Sequence, residues 1–246
     1  MKIAHQTWLE YVQKLDEINS HAADLMREWV EKHGLDDRDA LIRYAYALAT
    51  KYGEAAGALA CEMYDMTAVA AGKVLPSAEI ATTATGEEVG KAINGSLKHS
   101  MFETPSVVYR LVKQVAADTT LKNARRDGAE FAWIPHGDTC PFCIMLASNG
   151  WQRKSAKDHA EHIHQNCDCQ YAVRFSSRDG VAGYDPDKYL EMYSDADGGD
   201  YQEKLNYMRR KNYKANRDKI LEQQRAAYEL RKEYGENNAN TYSRVL

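Results

Sequence analysis

No stretch of this sequence approaches the roughly 20 consecutive apolar residues that a bilayer-spanning helix needs, so no membrane contact is expected. The opening residues, Met1-Lys2-Ile3-Ala4-His5-Gln6, lack the apolar core of a secretory signal, and the chain is expected to be made and folded in cytoplasm. An excess of one charge is missing too. The 32 Lys and Arg stand against 36 Asp and Glu, a net of -4, which excludes wholesale coating of nucleic acid and leaves only a local patch for such a role. Also absent are the G-x-S-x-G elbow, the HExxH pair and the phosphate-binding G-x-x-x-x-G-K. Cysteine is scarce and odd in number, five in all, which argues against a disulfide scaffold. Four of the five, however, fall in two close pairs between Cys140 and Cys169. In a cytoplasmic protein that grouping points to a metal.

What is present reads as helix first. Trp8, Tyr11, Leu15, Ile18, Ala22, Leu25 and Trp29 recur at alternating steps of three and four, one apolar stripe. Gly34 ends that helix, and Asp36 or Asp37 can cap the next. The second helix carries Leu41, Tyr44, Leu48, Tyr52, Leu59 and Met63 among many alanines, with Gly53 and Gly57 leaving a shallow face for close helix packing. Leu75-Pro76-Ser77 breaks the pattern, and a short helix follows around Val89 to Leu97. Thr104-Pro105 starts another, with threonine as cap and proline in the first turn, closing near Asp127-Gly128.

The texture changes at Ala129. Phe131 to Ile134 and Gln170 to Phe175 read as strands, Asp185-Pro186 caps a short helix, and Tyr201 to Tyr234 reads as one long polar helix. The expected organisation is mainly α: a helical bundle over 1–128, a small zinc-stapled α+β domain over 129–199, and an extended helical tail over 200–246.

Thr139-Cys140-Pro141-Phe142-Cys143 is a C-x2-C knuckle, and His164-Gln165-Asn166-Cys167-Asp168-Cys169 follows at the gap familiar from two-knuckle zinc sites. The first pair brings two thiolates onto one ion; His164, Cys167 and Cys169 offer three candidates for the two remaining positions of a tetrahedron. Four sulfur or nitrogen ligands with no open position make a closed, structural site. Cys61, alone on the alanine-rich helix, reads as core.

The series Asp138-x-Cys140-x-x-Cys143, then Leu146 to Gly150, then His164-x-x-Cys167-x-Cys169 running into a strand resembles the C-terminal domain of phage Mu head-morphogenesis (MuF-like) minor head proteins. The likeness covers about Phe131 to Tyr193, with Ile163 standing where that family often has proline. The resemblance implies a structural minor capsid protein without catalysis, placed in the virion, inside the phage head near the portal. It implies portal or major capsid protein as partner, and makes Cys140, Cys143, His164, Cys167 and Cys169 the metal positions.

Two enzymatic alternatives use the same region. A zinc-dependent His-Asn-His-type nuclease would draw on His159, His162, His164 and Asn166, but no histidine follows Cys169 to complete it. A zinc deaminase would use His159-Ala160-Glu161, yet its P-C-x-x-C half should follow that motif and here precedes it. In the tail, Arg209, Arg210, Lys211, Lys214 and Arg217 surround Tyr213, a pattern suited to packaged DNA or an acidic partner face.

Overall fold

The computed structural model describes residues 2–97, 103–137, 139–153 and 167–218, together with positions 221, 222, 225, 228, 229 and 232. Two long helices, α1 (His5–His33) and α2 (Arg38–Ala70), form a hairpin. Gly34 turns the chain at φ 71°, and Asp37 caps α2 by accepting a hydrogen bond from the Ala40 amide at 2.9 Å. The buried face of α1 includes Trp8, Tyr11, Leu15 and Ala22 of the expected stripe but is wider than it. Trp8, Asn19 and Val30 are all buried, eleven residues apart, with Val12, Leu15, Ala23 and Met26 between them, while Ile18, Leu25 and Trp29 lie only half-buried at its flank. An eleven-residue repeat stays on one face of a nearly straight helix, whereas a seven-residue stripe drifts by about 20° per heptad.

On α2 the buried face joins the expected Leu41 and Leu48, and Tyr64, to a run of small residues: Ala45, Ala49, Gly53, Ala56, Gly57 and Ala60. A Cβ on Gly53 would lie 2.9 Å from Val115 Cγ2, and one on Gly57 would lie 2.5 Å from Ile80 Cγ2. The glycine pair therefore admits two neighbours at van der Waals contact, α4 (Thr104–Arg126) and the segment preceding α3 (Gly86–Leu97). Helix α4 is the hub, packed on α1, α2, α3 and both longer strands. Thr104 is fully buried within its first turn, so the cap position falls to Glu103, which makes no side-chain bond there.

The segment before α3 is strapped along α4. The Glu79 amide donates to Asn123 Oδ1 (2.9 Å), and the Ala81 amide donates to Thr119 Oγ1 (3.0 Å). Two strap residues thus cover four helical ones, about 3 Å per strap residue at 1.5 Å rise, which is an extended chain running antiparallel to α4. Thr85 and Glu88 close it with a capping box: the Thr85 amide donates to Glu88 Oε2 at 2.8 Å and the Glu88 amide to Thr85 Oγ1 at 3.3 Å.

Strands β2 (Glu130–Ile134) and β3 (Gln170–Arg174) pair antiparallel, with Trp133 opposite Tyr171 and Glu130 opposite Arg174. Alternation sends Ala132, Ile134 and Ala172 into the bundle core, and Phe131, Trp133, Tyr171 and Val173 into a second cluster that holds the cysteines. Between the strands lies α5 (Pro141–Ser148), covered by α6 (Pro186–Ser194) and α7 (Tyr201–Ala215). Asp185 caps α6, as expected from the sequence. A parallel two-residue pair, β1 (Lys2–Ile3) with β4 (Gly180–Val181), joins the chain's start to the region after the cysteines. The tail departs from one unbroken helix. Helix α7 ends at Ala215, where Asn216 turns its side chain back onto Asn212, and helical backbone resumes at positions 217 and 218.

Candidate metal centre

The cysteines arrive from two directions. Cys140 is the N-cap of α5, with Pro141 in the first turn, and its Sγ accepts the Cys143 amide hydrogen at 3.4 Å. Proline suits this turn because its missing N–H has no helical partner in any case. Cys143 is thereby held on the first turn of the helix, where the positive end of the backbone dipole favours a thiolate. Cys167 and Cys169 lie just before β3, two residues apart in sequence. In extended chain that spacing places both side chains on the same side and Asp168 on the other.

The result is a compact sulfur site. Cys143 Sγ lies 3.3 Å from Cys167 Sγ, and the sulfurs of Cys143, Cys167 and Cys169 all lie within 4.8 Å of one another, each residue buried. The His136 amide, at the end of β2, donates to Cys169 Sγ at 3.4 Å. Cys140 is half-buried at the rim. Crowding governs the acid–base state: contacts with Cys140, then Cys167 and Cys169, and then burial, raise the Cys143 thiol well above its ordinary pKa. For Cys169 the hydrogen bond with Cys143 acts downward, but Cys167 and burial outweigh it and the thiol is pushed up to about 12. Protons that the thiols hold this tightly are what a divalent cation displaces when it binds.

The donors fit a soft, thiophilic ion. Two of the sulfurs receive backbone N–H groups, the outer contacts that fix ligand orientation in metal sites, and the remaining surroundings are Trp133, Tyr171 and other buried side chains of the second cluster.

Asp168, directed away from the sulfurs, performs a different task. The Tyr109 hydroxyl of α4 is 2.7 Å from Asp16 Oδ1 on α1 and 3.2 Å from Asp168 Oδ1. Burial, then the bond to Asp16 and the charge of Asp168, raise the Tyr109 pKa and keep its proton in place. The C-D-C segment is thus tied through one hydroxyl to two helices of the bundle. The sequence offers a trace of this in the alternation of Cys167, Asp168 and Cys169, but nothing that names the tyrosine.

Of the residues expected from the sequence, Cys143, Cys167 and Cys169 converge and Cys140 stands beside them. His164 lies outside the described residues, as do Asp138, His159, Glu161, His162 and Asn166, on which the nuclease and deaminase alternatives depend. Cys61 is half-buried on α2 rather than fully enclosed. Arg209, Arg210, Lys211, Lys214 and Arg217 are all exposed. Leu205 and Met208 are the buried residues of α7, and every residue from Arg209 to Asp218 is exposed. The basic end therefore projects beyond the packed body.

Among the described residues, no helix is long and apolar enough to cross a membrane. Neither a curated protein nor a solved structure matches the chain. A family model described as VG15 protein matches residues 2–196, which takes in the bundle, the strands, all five cysteines and α6. The chain therefore belongs to the VG15 protein family, a family of phage or viral gene proteins.

Proposed function

We propose that this protein is a structural minor head component of a tailed phage, in which one zinc ion staples the β2–β3 and α5 region to the helical bundle. The observation that carries the reading is the set of three buried cysteine sulfurs within 4.8 Å of one another. Thiolates select soft ions, and zinc with four sulfur or nitrogen ligands forms closed tetrahedral sites that stabilise folds. Cys143, Cys167 and Cys169 supply three ligands and Cys140 the fourth, with His164 the competing fourth ligand. When bound, the ion contributes charge neutralisation and cross-linking. The chain's own residues do the rest: backbone N–H groups of Cys143 and His136 orient two sulfurs, and Asp168 carries the ordering to α1 and α4 through Tyr109.

Filled by four such ligands, the site would offer no open position to a reacting water, which supports reading the protein as structural rather than catalytic. Membership of a phage-related family and the resemblance of the cysteine pattern to MuF-like minor head proteins support a place in the virion, inside the head near the portal. The portal or major capsid protein is the expected partner. The projecting basic end of α7, with Arg209, Arg210, Lys211 and Lys214 exposed and Arg217 just beyond, suits packaged DNA or an acidic capsid face. Two measurements test the reading. Protein purified without added metal should carry close to one zinc per chain by elemental analysis, and mass spectrometry of purified virions should find the chain in the particle. A folded, metal-free product would remove the zinc, and absence from virions would remove the head role.

A further inference from the structure

Helix α4 is buried almost all the way round, and its one open stripe is polar: Arg110, Gln114, Asp118, Lys122 and Arg125, at steps of four, four, four and three. This stripe floors a groove of about 770 Å³ whose opposite wall is the strap from Ala81 to Thr85. Lys122 is satisfied, by Glu79 at 3.0 Å and the Ile80 carbonyl at 3.2 Å. The two arginines are not. Arg125 has Nε and Nη2 buried with no hydrogen-bond partner. Arg110, half-buried, makes no hydrogen bond or ion pair among the described residues, and burial pulls its pKa below the usual value. A guanidinium that loses water without gaining an acceptor is destabilising unless a ligand supplies one.

The wall is also incomplete. Glu79 and Ala81 are bonded to α4 through their amides, but Thr82, Thr83 and Ala84 form no hydrogen bond among the described residues. An extended strap with a free edge is a template for a further extended chain. Arg110 and Arg125 lie fifteen residues apart on the helix, about 22 Å, a span that roughly six or seven extended residues cover. Between the two arginines the groove offers Leu111, Val115 and Ala81. It also carries the carboxylates of Asp118 and Glu88, which oppose a continuous polyphosphate. A peptide with carboxylates only at its two ends and β-branched residues between them places far less negative charge beside them.

We infer that the α4–strap groove binds an extended acidic segment of a partner protein, with carboxylates six residues apart seated on Arg110 and Arg125. Even spacing is required because side chains six apart share a face in extended chain. The probe is a fluorescein-labelled heptapeptide, Glu-Thr-Val-Thr-Val-Thr-Glu, whose glutamates and valines share one face. It is titrated against the full chain by fluorescence anisotropy, beside the same peptide ended by glutamines and a short DNA duplex. The glutamate peptide should bind at least about tenfold more tightly than the glutamine one, the worth of one charge-assisted bond. Arg110→Gln should lower its affinity by about tenfold while leaving the glutamine peptide unaffected. Arg125→Gln should do the same where it folds; Arg110 is partly exposed, so its variant carries the test alone if Arg125→Gln does not. Equal binding of the two peptides, no binding at millimolar concentration, or preference for the duplex overturns the inference. Self-association abolished by Arg110→Gln would assign the groove to a second copy of the chain instead, and equally overturn it.

Discussion

The bundle and the cysteine region solve the same packing problem with opposite materials. Between α2 and α4 the fit is one of shape: alanines and two glycines let the helices approach until a Cβ added at Gly53 would lie 2.9 Å from Val115 Cγ2. Around α5, β2 and β3 the core holds three mutually close buried sulfurs, which bring little apolar area and strongly resist ionisation without a cation. A close-packed core is already at its optimum, and a change of one methyl group is felt in either direction. If it holds an ion, as proposed, a thiol core draws part of its stability from that bond, which the sequence alone does not contain. The two regions should therefore fail in different ways.

The largest effect is expected at Cys143, fully buried and touching each of the other sulfurs. Cys143→Ser should abolish metal binding and expose the amides of β2, α5 and β3 to hydrogen exchange, while α1, α2 and α4 keep their protection. The loss should be several kcal/mol, since the binding free energy of a structural zinc, roughly 10–16 kcal/mol in small peptides, is folding free energy. Collapse of the bundle along with the strands would show that the regions are one cooperative unit and erase the distinction.

Alkaline pH separates metal-free from metal-loaded protein without a mutation. In the metal-free chain the Cys169 pKa is raised from 9.0 to about 12. A raised folded pKa contributes stability fully present below the unfolded value, so that contribution should be intact below pH 9 and lost progressively between about 9 and 12. Metal-loaded protein has its thiolates already formed and should lack this alkaline decline. Thermal melts across that range check it, and parallel pH profiles for the two forms would count against the cysteines as ligands.

Gly57→Val probes the shape-fitted side. The branched side chain must displace Ile80, Val115 or Thr119, which lie 2.5 to 3.3 Å from the new Cβ. Overpacking of this kind costs about 1–3 kcal/mol, a fall in melting temperature of several degrees at about 2–4 °C per kcal/mol in a chain of this size. Zinc content should not change. If the metal is lost as well, the bundle is holding the sulfur site open rather than standing beside it.

These differences also explain what could be read in advance. Strands β2 and β3, the Asp37 and Asp185 caps and the C-x2-C knuckle were legible because each is a local rule written in a few adjacent residues. On α1 the apolar stripe marks Trp8, Tyr11, Leu15 and Ala22 of the buried face, but nothing local announces that the polar Asn19 completes it. On α2 leucine and tyrosine carry the visible pattern, while alanine and glycine make up most of the buried face. Nothing local announces the pairing of β1 with β4, two residues each. Lys113 is similarly unreadable: fully buried, its Nζ lies 5.7 Å from the centre of the Trp133 ring and has no hydrogen-bond partner in the described residues. The choice among metal ligands depended on which sulfurs meet, and that is decided by the β2–β3 register and the placement of α5.

The smallest expected effect bears most directly on how the two regions communicate. Tyr109 is bonded to Asp16 of the bundle and stands beside Asp168 of the cysteine segment, 93 and 59 residues away in sequence. Tyr109→Phe keeps the ring and its packing but leaves two carboxylates facing each other across the position of a lost donor. Removing one such hydrogen bond costs about 1 kcal/mol, near 2–4 °C in melting temperature. That shift alone would suit any buried tyrosine, so the informative quantity is a difference. If Asp168 carries the ordering produced by metal binding into α1 and α4, the stabilisation gained by the bundle on adding zinc should shrink in the variant while zinc stoichiometry stays near one. Hydrogen exchange of α1 amides around Asp16, compared with and without zinc in both proteins, reads this directly. An undiminished zinc-dependent protection of α1 in Tyr109→Phe would mean that the link runs through the sheet, by Ala132, Ile134 and Ala172 in the bundle core, and that the hydroxyl only fills its own hydrogen bonds.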